Sequence, residues 1–199
     1  MRAVRPKHAA SLIVMRLSRD GPEMLMGTRG SRHRFMPNRL VFPGGRVDPA
    51  DTRAPCAAGL SPKTQWALAR KAGPRLAHAL AAAAARELRE ETGLTLGDPP
   101  RLDVLHYLAR AVTPPSSPIR FNARFLVVDA AHVSGELGGD GELDGLRFYA
   151  MQEALDLDLA LPTRLVLERL RIWLAMTEAE RETLTHTPVL LRDRGWMME

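Results

Sequence analysis

In the run Arg86-Glu87-Leu88-Arg89-Glu90-Glu91-Thr92-Gly93-Leu94, three glutamates stand at i, i+3 and i+4 and a glycine follows them. A helix turning roughly 100° per residue gathers Glu87, Glu90 and Glu91 within about a third of its circumference. Like charges so placed repel by about 0.2–0.5 kcal/mol per pair on an exposed helix. An oxygen-seeking cation such as Mg²⁺ turns that repulsion into binding. The plainer alternative is a solvated acidic face, softened by an Arg86 to Glu90 pair in the less favourable i, i+4 order. The residues upstream decide between the two.

Those upstream residues read as a frame for the helix. Residues 9–17 and 23–28 have strand composition with a hairpin turn at Asp20-Gly21. Residues 29–38 form a polar loop dense in arginine and histidine. A short apolar strand, 40–42, runs into Pro43-Gly44-Gly45, where the backbone can take conformations closed to other residues. Residues 48–73 lack strand periodicity and look like an insertion, with a short helix at 62–71 carrying Trp66 and Leu68. The spacing then predicts a long helix over 76–92, built on the alanine run 81–85 and stopped by Gly93. Strands are expected at 104–112 and 120–129, joined by the proline-rich loop 113–118. A glycine-rich loop at 134–145 precedes a strand at 146–150 and a helical turn at 151–155. Leucine and tryptophan at helical spacing over 165–176 close the core, with Trp173 inside. The tail adds a short acidic helix and ends in Trp196-Met197-Met198, which could pack on the domain or on a second subunit.

The whole chain bounds the reading further. Its 199 residues, 45% of them hydrophobic, suit a single domain. A formal charge of +5 without a basic run interleaved with aromatics favours an anionic small molecule over a nucleic-acid partner. The lone cysteine, Cys56, excludes a disulfide framework and a cysteine-rich zinc site. The scattered histidines offer no metal-ligand spacing. No stretch has the apolar length of a membrane span or the pattern of a signal peptide, so a cytoplasmic protein is expected. Met24, Met26 and Met36 suit core or pocket walls, and Arg32 and His33 an exposed loop.

Pro43-Gly44-Gly45 followed by Arg86 to Leu94 resembles the Nudix hydrolase signature, Gly-x5-Glu-x7-Arg-Glu-U-x-Glu-Glu-x-Gly-U with U apolar. The second half matches at every specified position. In the first half, counting from Gly45, the acid position falls on Asp51, and residues 52–85 stand where the pattern has seven; an insertion inside the motif accounts for this, with Asp51 or Asp48 as the substitute acid. The resemblance implies an α/β fold, an α/β/α sandwich around a mixed β-sheet with a metal-binding loop-helix-loop. It implies one domain over 1–199, with an insertion at about 52–75 and a C-terminal helical extension at about 163–199. It also implies Mg²⁺ or Mn²⁺ held by Glu90 and Glu91, with Glu87 as a further ligand or water-orienting catalytic group, and a carbonyl of Gly44 or Gly45. Arg86 would be structural, paired with an acid such as Asp51.

A second resemblance covers residues 25–45. Arg29, Arg34 and the Phe42-Pro43-Gly44-Gly45 end fall in register with the extended motif of the coenzyme A diphosphatases within the Nudix family, while Gly27, Gly30 and Asn38 depart from it. Arginine suits bidentate phosphate contacts, and coenzyme A carries a 3′-phosphate beyond its diphosphate. Arg29, Arg34 and Phe42 are therefore the substrate-binding candidates. Arg120 and Arg124 share a parity on one predicted strand and would meet phosphate or pair with surface acids. A catalytic acid outside the box is expected on a loop, Glu142 first, with Glu136 and Asp140 as alternatives. The implied activity is a divalent-metal-dependent pyrophosphohydrolase, most specifically of CoA or acyl-CoA to 3′,5′-ADP and (acyl-)4′-phosphopantetheine. The alternatives are an ADP-ribose or dinucleotide pyrophosphatase, or a non-catalytic nucleotide-sensing Nudix domain. A small-molecule diphosphate is the expected partner, with no nucleic acid, no membrane and a possible homodimer.

Overall fold

The apolar run from Ala9 to Met15 shows little polar alternation because its strand is covered on both faces. Ala10, Leu12 and Val14 enter one core and Ile13 and Met15 another, on the opposite side of the sheet. The computed structural model describes residues 4–30, 37–191 and 195–199. Its strands are β1 (Lys7–Ser18), β2 (Gly21–Arg29), β3 (Leu40–Val41), β4 (Gly44–Arg46), β5 (Leu94–Thr95), β6 (His106–Val112), β7 (Phe121–Asp129), β8 (Ser134–Gly135), β9 (Leu143–Ala150), β10 (Pro188–Leu191) and β11 (Gly195–Met198). Its helices are α1 (Pro62–Ala69), α2 (Pro74–Thr92), α3 (Met151–Asp156), α4 (Leu161–Ala175) and α5 (Glu178–Glu182), with a 3-10 turn at Pro49–Arg53.

The large sheet runs β11-β10-β6-β7-β1-β2-β3, with β4 beside β1 and β9 beside β2. It is mixed, because β1 lies parallel to β7 and β10 parallel to β6, while the other pairs are antiparallel. Leu80, Ala84 and Leu88 of α2 pack on one face; Val166, Leu167 and Leu170 of α4 pack on the other. The architecture is therefore the expected α/β/α sandwich, with α2 as the helix that carries the glutamates. No helix among the described residues is long and apolar enough to cross a membrane.

Helix α2 starts two residues earlier than its periodicity predicts. Gly73 stands at the N-cap and Pro74 at the first helical position, where its missing N–H costs nothing. Residues Ala81 to Ala85 are all buried. Besides the sheet, α2 packs against α1 and the 3-10 turn at Pro49–Arg53, so small side chains are required on several sides and not only on a core stripe.

The segment between the 3-10 turn and α2 is integral to this packing. Ser61 caps α1 by accepting the Thr64 N–H at 3.3 Å, Leu68 is buried, and the buried Thr64 hydroxyl donates to the Leu105 carbonyl at 2.7 Å. The C-terminal segment differs from expectation. After α4 and α5 it does not continue as helix but folds back as the β10–β11 hairpin, extending the sheet beyond β6. Strand β9 also begins three residues earlier than predicted, inside the glycine-rich stretch, with a bulge opposite Met26 to Thr28 of β2.

Replacing Ala84 by Leu is expected to lower the unfolding free energy by about 1–3 kcal/mol through overpacking. Ala179→Leu, on the exposed surface of α5, should stay within about 0.5 kcal/mol. Urea midpoints at unchanged slope read both.

Candidate active site

Helix α2 ends in a left-handed glycine: Gly93 has φ 74° and donates its N–H to the Arg89 carbonyl at 3.0 Å. Two carbonyls of the last turn that have no partner inside the helix are taken by a neighbouring loop. Gly138 donates to Thr92 at 2.9 Å and Asp140 to Glu90 at 3.0 Å. Strands β5 and β8 pair Leu94 with Gly135 and Thr95 with Ser134, fastening the same segment. Glu142 is thereby brought to the glutamate helix, close enough to act electrostatically on both Glu87 and Glu91. The alternatives are placed otherwise. Asp140 uses a carboxylate oxygen to accept the Glu142 N–H at 2.9 Å, and Glu136 lends its carbonyl to the surroundings of Gly93.

Arg86 ties the helix to the other half of the site. Its Nε and Nη2 donate to the two oxygens of Asp51 at 3.0 and 3.1 Å, and Nη2 also donates to the Arg46 carbonyl at 3.0 Å. Its Nη1 donates to Glu87 Oε1 at 2.8 Å and to Glu90 Oε2 at 2.9 Å. Asp51 is only 2% exposed and additionally accepts the Asp48 N–H at 2.7 Å. The Asp51 hydrogen bonds hold the guanidinium proton far more firmly than in free arginine. Asp51, not Asp48, thus takes the place of the arginine's acid partner; Asp48 Oδ2 lies 4.0 Å from Arg86 Nη2.

The Gly44-Gly45 turn approaches α2 closely. Gly44 has φ 154°, and a Cβ there would press on the Ala10 carbonyl and Ser11. A Cβ on Gly45 would collide with the Glu87 carboxyl group. The Gly44 N–H donates to Glu91 Oε2 at 2.7 Å. Glu91 Oε1 is buried without a hydrogen bond among the described residues and lies 3.6 Å from Arg29 Nη2. Arg29 Nη2 donates to the Gly44 carbonyl at 3.4 Å, and its Nε is likewise buried without a partner.

Burial pushes the Glu91 carboxyl up to about 8, against the pull of the Gly44 N–H and Arg29, and Glu87 and Glu142 push it further. Glu87 is raised as well, first by burial and then by Glu90 and Glu142, with Arg86 opposing. Such a cluster of mutually repelling oxygens, one of them buried and unpartnered, fits a divalent cation in its chemistry. Among the described residues no group of three His, Cys, Asp or Glu side chains stands ready-made for a metal ion. The physical reason lies in the arginines: Glu87 and Glu90 are turned onto Arg86, and Glu91 is turned inward to Gly44.

The other expected substrate contacts divide. Arg29 reaches the cluster. Arg34 lies outside the described residues. Phe42 is corrected: it is buried in the core on the α4 side, edge-on to Phe125 at 6.4 Å, because it shares the strand parity of buried Leu40. Arg120 is also reassigned, since it precedes β7 and donates to the carbonyls of Thr113 at 3.1 Å and Val4 at 2.5 Å. Arg124 is 1% exposed; it meets His8 Nδ1 at 3.1 Å and donates to the carbonyls of Asn122 at 3.0 Å and Lys71 at 3.3 Å, which leaves no face for phosphate.

The sheet order and the helices on its two faces are those of the Nudix fold. The NUDIX domain family model matches residues 73–170. The structure is similar to the crystal structure of a NUDIX hydrolase from Alicyclobacillus acidocaldarius, at 25% identity over 91% of this chain and 97% of that one, with a TM-score of 0.67. It shares its fold with a MutT NUDIX hydrolase from Burkholderia pseudomallei, at 20% identity over 84% and 99% of the two chains, TM-score 0.54. The same holds for the NUDIX domain of Shewanella oneidensis NrtR, solved with ADP ribose, at 13% identity over 86% and 90%, TM-score 0.57. Among curated proteins none matches this sequence. Residues 73–170 thus match the NUDIX domain, and the chain has the Nudix fold.

Two outcomes are expected. Asp51→Ala should lower the unfolding free energy by about 1.5–3 kcal/mol, the range for hydrogen bonds to charged groups, as read by urea denaturation. Glu91 is raised in the folded state, so its stabilising contribution is complete below its ordinary value of 4.5 and is lost as the pH climbs through about 8. In chelator, the thermal midpoint should therefore fall over that window, and Glu91→Gln should flatten the fall.

Proposed function

We propose that the protein is a divalent-cation-dependent pyrophosphohydrolase of nucleoside diphosphates linked to a second group, with CoA or acyl-CoA as the substrate. The observation that carries the reading is the convergence of Glu87, Glu91 and Glu142 at the end of α2 against the Gly44-Gly45 turn, with Glu90 held to the same Arg86 as Glu87 and Arg29 beside Glu91. Glu87, Glu90 and Glu91, with a carbonyl of the Gly44-Gly45 turn, would hold Mg²⁺ or Mn²⁺. When bound, the ion supplies neutralisation of the diphosphate charge and a lowered pKa for water.

The chain's own groups do the rest. Glu142, on a loop anchored to the helix end, is our candidate to accept a proton from the attacking water, with Glu87 as the second. Arg29 carries a guanidinium beside the cluster, its Nε without a partner among the described residues, suited to an anionic oxygen of the substrate. Arg86 keeps the helix and the Gly-Gly turn in register, so catalysis draws chiefly on positioning and preorganised charge. The register of Arg29 and Arg34 with the CoA diphosphatase motif supports CoA over other diphosphates.

Incubation with CoA, ADP-ribose and nucleoside triphosphates, with and without Mg²⁺, followed by mass identification of products, tests the reading. The expected result is metal-dependent release of 3′,5′-ADP and 4′-phosphopantetheine from CoA. Glu90→Gln should lower kcat roughly 100-fold or more, and Arg29→Ala should raise KM for CoA far more than for ADP-ribose. Cleavage of ADP-ribose with CoA untouched would overturn the CoA assignment. Unchanged turnover in Glu90→Gln would overturn the metal ligand assignment.

A further inference from the structure

The insertion before α2 and the segment after α4 enclose a second cavity, of about 220 Å³, to which no residue of the carboxylate site contributes. Helix α1 supplies Lys63 and Trp66, strand β6 supplies His106, and helices α4 and α5 supply Arg169, Trp173 and Arg181. The His106 and Trp173 rings form one wall, 5.8 Å apart between centroids.

The cationic groups in this cavity are not equivalent. Lys63 Nζ donates to the Arg181 carbonyl and lies 3.4 Å from a carboxylate oxygen of Glu182. Arg181 stacks on Trp173 at 4.1 Å and donates to the carbonyls of Trp173 at 3.0 Å and Leu174 at 3.2 Å, closing the C-terminal end of α4. Arg169 has no such arrangement. Its Nε is buried without a hydrogen-bond partner among the described residues, and burial lowers its ionisation. A buried donor on a charged group is costly to leave unmade. Against Lys63, Arg169 and Arg181 the lining offers only Glu178 and Glu182 as acids, and burial together with Lys63 and Arg181 disfavours the charged form of His106. The cavity is thus electropositive, with one guanidinium that has no anionic partner among the described residues.

We infer that this cavity binds a small oxyanion, held by Arg169 against the wall formed by His106 and Trp173, and that the group it takes is phosphate. The volume falls below the roughly 300–1,000 Å³ of pockets for drug-sized ligands, which suits a phosphate or a short phosphomonoester. Excess positive charge favours a dianion over a carboxylate, and a guanidinium fork matches phosphate oxygens in pairs. The site is separate from the carboxylate cluster and does not depend on the substrate proposed above.

Trp66 and Trp173 line the cavity and report on it by fluorescence. In chelator at constant ionic strength, inorganic phosphate should produce a saturable emission change in the full chain and raise its thermal midpoint. Arg169→Met removes a half-buried guanidinium whose Nε has no partner among the described residues, and should fold as well as the parent, while weakening phosphate binding at least tenfold. Arg169→Gln provides a second neutral variant with the same expectation. Glu90→Gln should leave the phosphate response unchanged, which separates this site from the helix end. No saturable response, or equal affinity in the parent and either neutral Arg169 variant, would overturn the site. Tighter binding of acetate than of phosphate would overturn the choice of anion.

Discussion

The arrangement of the carboxylate site depends on one guanidinium. Arg86 spends its donors on Asp51, on the Arg46 carbonyl, and on Glu87 and Glu90, so a single side chain joins the end of β4, the 3-10 turn and the helix. The two halves of the site stand far apart in sequence, with α1 between them. The Asp51–Arg86 pair closes that gap in space. It is preset from the Asp51 side, because that carboxylate is buried and already fixed by the Asp48 N–H. The chain can therefore leave after Asp51, form α1, and return into α2 without disturbing the register between the Gly44-Gly45 turn and the glutamates.

That register also depends on how closely α2 lies to its neighbours. The run Ala81 to Ala85 removes side-chain bulk where the helix is enclosed by the sheet, the 3-10 turn and α1. The Gly44 N–H can then reach Glu91, and Gly45 can lie against Glu87 with no Cβ between them. Small residues in the helix and the turn are two sides of one requirement, close approach, and the chemistry at the helix end inherits its geometry from it.

Much of this was legible in the sequence where local and long-range demands agree. The unbroken apolar runs of β1 and β7, the alanine-rich α2 and its glycine stop announce themselves, and so does the pairing of Arg86 with Asp51 once the two motif halves are aligned. The β10–β11 hairpin was not legible. Its short strands earn their place only by pairing with β6, a contact from across the sequence that no local pattern records. Phe42 misled for a related reason: its nearness to Pro43-Gly44-Gly45 suggests the site, but the two-residue period sends it to the opposite face of the sheet with Leu40. Arg124 has the parity expected of it, yet the chain at Lys71 covers that end of the strand and consumes its donors. Parity selects a face without telling what lies on it.

Under the proposed function, the arginines set the terms on which a cation enters. Glu87 and Glu90 already share Arg86, and Glu91 already has the Gly44 N–H and a nearby Arg29. Bare carboxylates at this spacing would repel one another and strain the helix end. With the guanidinium groups in place the cluster is partly neutralised before any ion arrives, so binding is an exchange of partners and not a first neutralisation. The two arginines differ in what that exchange releases. Arg86 keeps Asp51 and the Arg46 carbonyl whatever the glutamates do, so it remains structural. Among the described residues, the Arg29 side chain holds only a long hydrogen bond to the Gly44 carbonyl and its approach to Glu91. If Glu91 turns to an ion, Arg29 loses its carboxylate at the place where an anionic substrate would meet the cation. The weaker attachment of Arg29 is thus what makes it available for phosphate, and the stronger attachment of Arg86 is what keeps the site assembled while Arg29 changes partner.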